Sequence, residues 1–177
     1  MKILPIFGKN FKSIQFTGES QDEFHRVFSQ WNDPEFLEEF FELNRNDLIS
    51  WSLNIETAIG KTLQFAEEFE NKFKLLEAKY SRDEIVTELN ELFEPLHAQS
   101  SSGTITSKKV KFNWLRIYAL RLDKELYIIT GGTIKLTKAM QDRRHTNVEL
   151  RKLKSCLDNL LRLGIINENT VIEEVEL

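Results

Sequence analysis

Apolar residues recur along this chain with two different periods, and the period changes near residue 100. Phe11-Lys12-Ser13-Ile14-Gln15-Phe16 alternates as a strand does, and Gly18 ends it. The spacing then turns helical. Ser20-Gln21-Asp22-Glu23 has the S-x-x-E spacing of a capping box, and Phe24, Val27, Phe28 and Trp31 follow on one face. Asp33-Pro34 predicts a restart, with Asp as cap and Pro at the first helical position, where its missing N–H costs nothing. Phe36, Leu37, Phe40, Phe41 and Leu43 form the next apolar face. Asn54 caps a longer helix to about Tyr80, with a stripe of Ile55, Ile59, Leu63, Ala66, Phe69, Phe73 and Leu76. Ser81-Arg82-Asp83-Glu84 opens a short helix that Pro95 stops, with Ile85, Leu89, Leu92 and Phe93 inward.

Beyond this point the pattern is extended. Residues 99–107, rich in Ser and Gly, read as a flexible loop. Val110 to Leu122 reads as one strand, Asp123-Lys124 as a turn, and Leu126 to Leu136 as the return strand. Gly131-Gly132 marks a bulge, or a place where a backbone or ligand comes close. Thr146-Asn147-Val148-Glu149 is a third capping box, opening a helix with Leu150, Leu153, Leu157, Leu160 and Leu161 inward and Gly164 at its end. The predicted fold is α+β, a helical N-terminal half packed on a small antiparallel sheet, with a C-terminal helix. Residues 1–177 form a single domain in this reading: 1–98 acidic and mainly helical, 99–107 a loop, 108–177 a basic strand–strand–helix half.

Charge sharpens that division. Residues 1–100 carry a net charge of −9 and residues 101–177 a net charge of +5, within a total of −4. The basic half either presents a face to a polyanion or docks on the acidic half. A length of 177 residues buries enough surface for a core without a staple, and eleven of the thirteen Phe lie between Phe7 and Phe73. Cys156 is the only cysteine, which excludes an internal disulfide and any CxxC cage and favours a reducing compartment. Met1-Lys2-Ile3-Leu4-Pro5 is too soon polar for a signal peptide, and no apolar run reaches the roughly 20 residues that span a bilayer. The expected location is cytoplasmic, with no membrane partner.

Lys138 to His145 is the densest polar cluster, lying between a strand and a helix N-terminus, a position that favours anions. Lys138, Arg143 and Arg144 suit phosphate there, and His145 titrates near neutrality, as proton transfer requires. The opposing reading is a solvated connecting loop. Trp114, Arg116 and Tyr118 share one strand face and Arg121 takes the other. Arg116 within so apolar a strand calls for a carboxylate, a ligand or an edge position. Lys135 reads equally as a solvent-facing strand residue. His25 and His97 are isolated and make no zinc spacing, and no GK[ST] follows Gly131-Gly132. Cys156 lies in a leucine-rich helix as a small buried residue, and the paired acids read as solvated helix faces.

Trp114-Leu115-Arg116-Ile117-Tyr118-Ala119-Leu120-Arg121, followed by Tyr127-Ile128-Ile129-Thr130-Gly131-Gly132-Thr133-Ile134-Lys135-Leu136-Thr137-Lys138, resembles the RelE/HigB-type toxin family over residues 108–162. Over its full length the chain resembles bacterial proteins of this size that carry no assigned activity. The family resemblance implies a RelE-like fold and a metal-independent endoribonuclease acting on ribosome-bound messenger RNA, with an antitoxin protein as partner and no cofactor. Cleavage proceeds by attack of the ribose 2′-OH on the adjacent phosphate. By resemblance, Arg116 with Lys135 or Lys138 holds the phosphate, assisted by Arg121 and Arg143, and His145, Tyr118 or Arg144 moves protons. The chain departs from the family in its acidic balance and long helical first half. The alternative is a non-catalytic module that binds a protein partner.

Overall fold

In the computed structural model the chain opens with β1 (Lys2–Phe7) and β2 (Phe11–Gln15). There follow α1 (Glu23–Trp31), α2 (Pro34–Leu43), α3 (Arg45–Leu48), α4 (Ile55–Lys79) and α5 (Arg82–Leu92). Then come β3 (Glu94–Pro95), β4 (Ile105–Phe112), β5 (Leu115–Leu122), β6 (Leu126–Ile134) and α6 (Arg144–Arg162). The structure describes residues 1–79, 82–96, 104–123, 125–137 and 143–171, without the side chains of 79, 82, 83 and 168. The predicted Ser81 capping box and residues 99–103 of the predicted loop lie outside the described residues.

The six strands form one sheet in the order β1-β2-β6-β5-β4-β3. β2 runs parallel to β6, pairing Phe11 with Tyr127 and Ser13 with Ile129, and every other pairing is antiparallel. All nine residues of β6 are buried, because helices cover both faces of the sheet. On one face α1, α2, α4 and α5 gather Phe11, Phe24, Phe28, Phe69, Phe73 and Phe93 over Ile117, Tyr127 and Ile129. The rings meet edge-on or stacked at centroid distances such as 5.7 Å for Phe11–Phe24 and 5.3 Å for Phe11–Phe73, which adds to their area burial. On the other face α6 lays Leu153, Cys156 and Leu160 over Tyr118, Leu120 and Ile128.

The α+β class holds, and several sequence expectations are corrected; Leu43 and Leu161, read on apolar inward stripes, are exposed. The first half is not simply helical, and the sheet is mixed and six-stranded rather than small and antiparallel. Lys2–Phe7 pairs with β2, with its register shifting at Pro5, which lacks an N–H and is tolerated at this edge position. Val110 to Leu122 is not one strand. Asn113 adopts φ 54°, a left-handed conformation that Asn tolerates, and folds β4 back on β5 as a hairpin. Because of that turn, Trp114 packs with the α4 side rather than beside Tyr118, its Nε1 donating to Thr62 Oγ1 at 3.1 Å. The last helix, α6, begins at Arg144, ahead of the predicted box: the Thr146 hydroxyl donates to the Arg143 carbonyl at 2.8 Å, and Glu149 turns inward.

Of the other predicted caps, those at Asp33 and Asn54 form, whereas the Ser20 box does not: α1 begins at Glu23, and Asp22 caps it in place of Ser20. Asp22 accepts from Phe24 and His25 backbone N–H, Asp33 from Glu35 and Phe36, and Asn54 from Thr57. Gly164, at φ 68°, closes α6 in a Schellman motif, with Ile165 N–H donating to the Leu160 carbonyl at 2.9 Å.

Candidate functional site

The site grows from the end of β6. A bulge leaves Thr130 without a partner on β5, between the pairs Ala119–Ile129 and Tyr118–Gly131. The glycines that follow let two helices close on the strand. A Cβ on Gly132 would stand 2.9 Å from Val27 of α1 and 2.7 Å from the Arg116 carbonyl oxygen, and one on Gly131 would stand 1.9 Å from Glu149 Oε2 of α6. The close approach predicted from Gly131-Gly132 is therefore made by α1 and by the Glu149 carboxyl.

Charges from those two helices meet there. Arg26 donates to both oxygens of Glu23, at 2.9 and 2.6 Å, and lies 3.6 Å from Glu149 Oε1. Lys152 Nζ reaches Glu23 at 3.0 Å and Glu149 at 3.4 Å. Glu23 and Glu149 are both buried, and Glu149 Oε2 accepts no hydrogen bond among the described residues. Burial pushes the Glu149 carboxyl above its ordinary pKa of 4.5, with Lys152 and Arg26 opposing. Burial opposes the Arg26 charge, but Glu23 and Glu149 outweigh it and hold that guanidinium more firmly protonated than usual.

Outside this cluster a cleft of about 210 Å³ opens between α1, α2, the end of β6 and the first turns of α6. Arg26, Gln30, Phe36, Phe40, Thr133, His145 and Glu149 are among the side chains that line it. His145 and Glu149 stand four residues apart on α6 and so share a helix face. His145 Nε2 lies 3.1 Å from the Ile134 carbonyl oxygen, an acceptor only, so Nε2 carries the proton and Nδ1 the lone pair of the neutral ring. Its ring meets Phe40 edge-on at 5.0 Å. Burial lowers the His145 pKa below 6.5, against the raising effect of the Ile134 bond and Asp47.

The residues singled out from sequence do not form one constellation. Tyr118 is buried, its hydroxyl bonds to nothing among the described residues, and burial drives its pKa far above 10. Arg116 turns back on its own strand end, donating to the carbonyls of Asn113 at 2.6 Å and Leu115 at 2.7 Å. Burial lowers its pKa below the ordinary arginine value. Arg121 faces α5, as its alternation from Arg116 predicts, and donates to Asn90 Oδ1 at 2.9 Å. Lys135 Nζ donates to the Thr137 carbonyl at 2.7 Å. Arg143 is held by buried Asp47 of α3, through Nε at 2.7 Å and through Nη2. Arg144 is exposed at the first position of α6, beside His145, and Lys138 lies outside the described residues.

Sequence reasoning missed Arg26, Gln30 and Glu149. The one signal for them was Gly131-Gly132, since a close approach needs something that approaches. Comparisons with protein-family models, with curated proteins and with solved structures find no match to this chain. Among the described residues, no helix is long and apolar enough to cross a membrane.

Proposed function

We propose that this chain is a metal-independent endoribonuclease of the RelE/HigB type acting on messenger RNA, with the α1–β6–α6 cleft as its centre. What supports it most is that one cleft brings together a neutral imidazole, a carboxyl of raised pKa and a fixed cation: His145, Glu149 and Arg26. His145 Nδ1 takes the proton from the ribose 2′-OH, and the 2′-oxygen attacks the adjacent phosphorus. The P–O5′ bond breaks as Glu149 protonates the departing oxygen, leaving a 2′,3′-cyclic phosphate and a 5′-hydroxyl. Arg26 faces the negative charge that builds on phosphorus, while Arg144 and the first turn of α6 attract the strand. Tyr118 is dropped from the proton-transfer set because its hydroxyl is buried. Arg116, Arg121 and Arg143 are dropped from the phosphate set because none of them lines the cleft.

A second reading, a non-catalytic module that docks a protein partner, is favoured by the exposed Leu43 and Ile49 with half-exposed Trp51 around α3. Induced expression in bacteria separates the two. The ribonuclease reading predicts growth arrest with fragmentation of messenger RNA, both lost in His145→Ala with the fold intact. Harmless accumulation of folded protein contradicts it and favours the docking module.

A further inference from the structure

We infer that the outer part of the cleft is a slot for one unstacked nucleobase, held on the Phe36–Phe40 wall and contacted by the Gln30 amide. That the base belongs to an RNA strand rests on the ribonuclease reading; the slot itself rests on the cleft. At about 210 Å³ it falls below the roughly 300–1,000 Å³ of pockets that enclose drug-sized ligands, so it suits one flat ring system. Its wall is aromatic. The Phe36 and Phe40 rings lie 6.3 Å apart and 23° from parallel, both only partly buried on α2, and buried Trp31 also lines the cleft. Single-stranded RNA is bound in this way, with splayed bases on aromatic faces.

The polar side of the slot is oriented by the charge cluster. Arg26 Nη1 only donates, and it lies 2.7 Å from Gln30 Oε1. The Gln30 amide is thereby fixed with its oxygen on Arg26, which leaves Nε2 to donate to a ring nitrogen or carbonyl of a base. Ile134 and Val148 supply apolar contact, and His145 stands at the same opening. A base seated against Phe36 brings its own ribose and phosphate toward the imidazole. The slot therefore positions the strand for the chemistry proposed above.

Binding of a labelled 2′-fluoro oligoribonucleotide, which lacks the attacking hydroxyl, tests this by fluorescence anisotropy on the full chain. Phe36→Leu keeps an apolar side chain but loses the ring face, and binding weakens at least roughly fivefold, the low end for one lost stack. Phe36→Tyr restores it, and Gln30→Ala weakens it with α1 unperturbed. Competition by nucleoside monophosphates at the oligonucleotide's own affinity supports the slot but assigns it to a free nucleotide. Competition by strands alone supports the RNA occupant. Binding by folded Phe36→Leu and Gln30→Ala within about twofold of wild type, short of one lost stack, overturns the slot. RNA cleavage alongside that result leaves the ribonuclease standing; Phe36-dependent binding without cleavage supports the slot and overturns the ribonuclease.

Discussion

Tyr118 and Glu149 each bury an oxygen that accepts or donates no hydrogen bond among the described residues, yet they have opposite consequences. Tyr118 contributes a buried hydroxyl with no partner, so Tyr118→Phe is expected to stabilise the fold by about 1 kcal/mol. Chemical denaturation reads this, and RNA cleavage should survive the change. Glu149 supplies a proton in the proposed reaction. Its folded pKa lies above 4.5, so its share of stability is full below 4.5 and lost as pH rises through the raised value. His145 has the opposite sign: its folded pKa lies below 6.5, so its share is present above 6.5 and lost as pH falls through the lowered value. Midpoints measured across pH should therefore fall less on the alkaline side in Glu149→Gln than in wild type. In the proposed reaction the same two groups give cleavage a bell-shaped profile, with its acid limb below 6.5 and its basic limb above 4.5. Glu149→Gln should remove the basic limb.

At the scale of elements, the helices were legible where caps and apolar spacing agreed, as at Asp33 and Asn54. The misreadings share a cause: tertiary partners that local pattern does not encode. Asn113 folds Val110–Leu122 into a hairpin through one left-handed residue, and β1 exists only because β2 pairs with it. Glu149 stands at capping-box spacing from Thr146 but serves the interior, because Gly131 leaves room for its carboxyl. Gly131→Ala should cost about 1–3 kcal/mol from overpacking on Glu149, besides backbone strain at φ 156°, and Glu149→Ala in the same chain should return only part of the packing cost. Gly132→Ala meets the Arg116 backbone carbonyl, which no side-chain truncation removes. Double-mutant cycles by denaturation check both, with rescue expected only at Gly131.

Across the whole molecule, the charge asymmetry has a visible use. Arg143 of the basic half is tied to Asp47 of the acidic half, and Lys152 to Glu23, so part of the positive charge joins the layers. Arg143→Ala should therefore lower stability by about 1.5–3 kcal/mol, the range for hydrogen bonds to charged groups, while leaving the proposed RNA cleavage intact. Loss of cleavage in a folded Arg143→Ala would return that residue to the phosphate set. The cleft itself was half legible. His145 stood out by residue type and by its place before a helix, whereas Arg26 and Gln30 reach it from α1, more than a hundred residues away in sequence. The most direct test is incubation of purified protein, stripped of metal by dialysis against EDTA beforehand, with messenger RNA in a translating extract, with fragment ends analysed chemically. The account predicts 2′,3′-cyclic phosphate ends from wild type, none from folded His145→Ala, and none where 2′-deoxy sugars replace ribose. Cleavage that persists in His145→Ala, or fragments with 3′-hydroxyl ends, would contradict it.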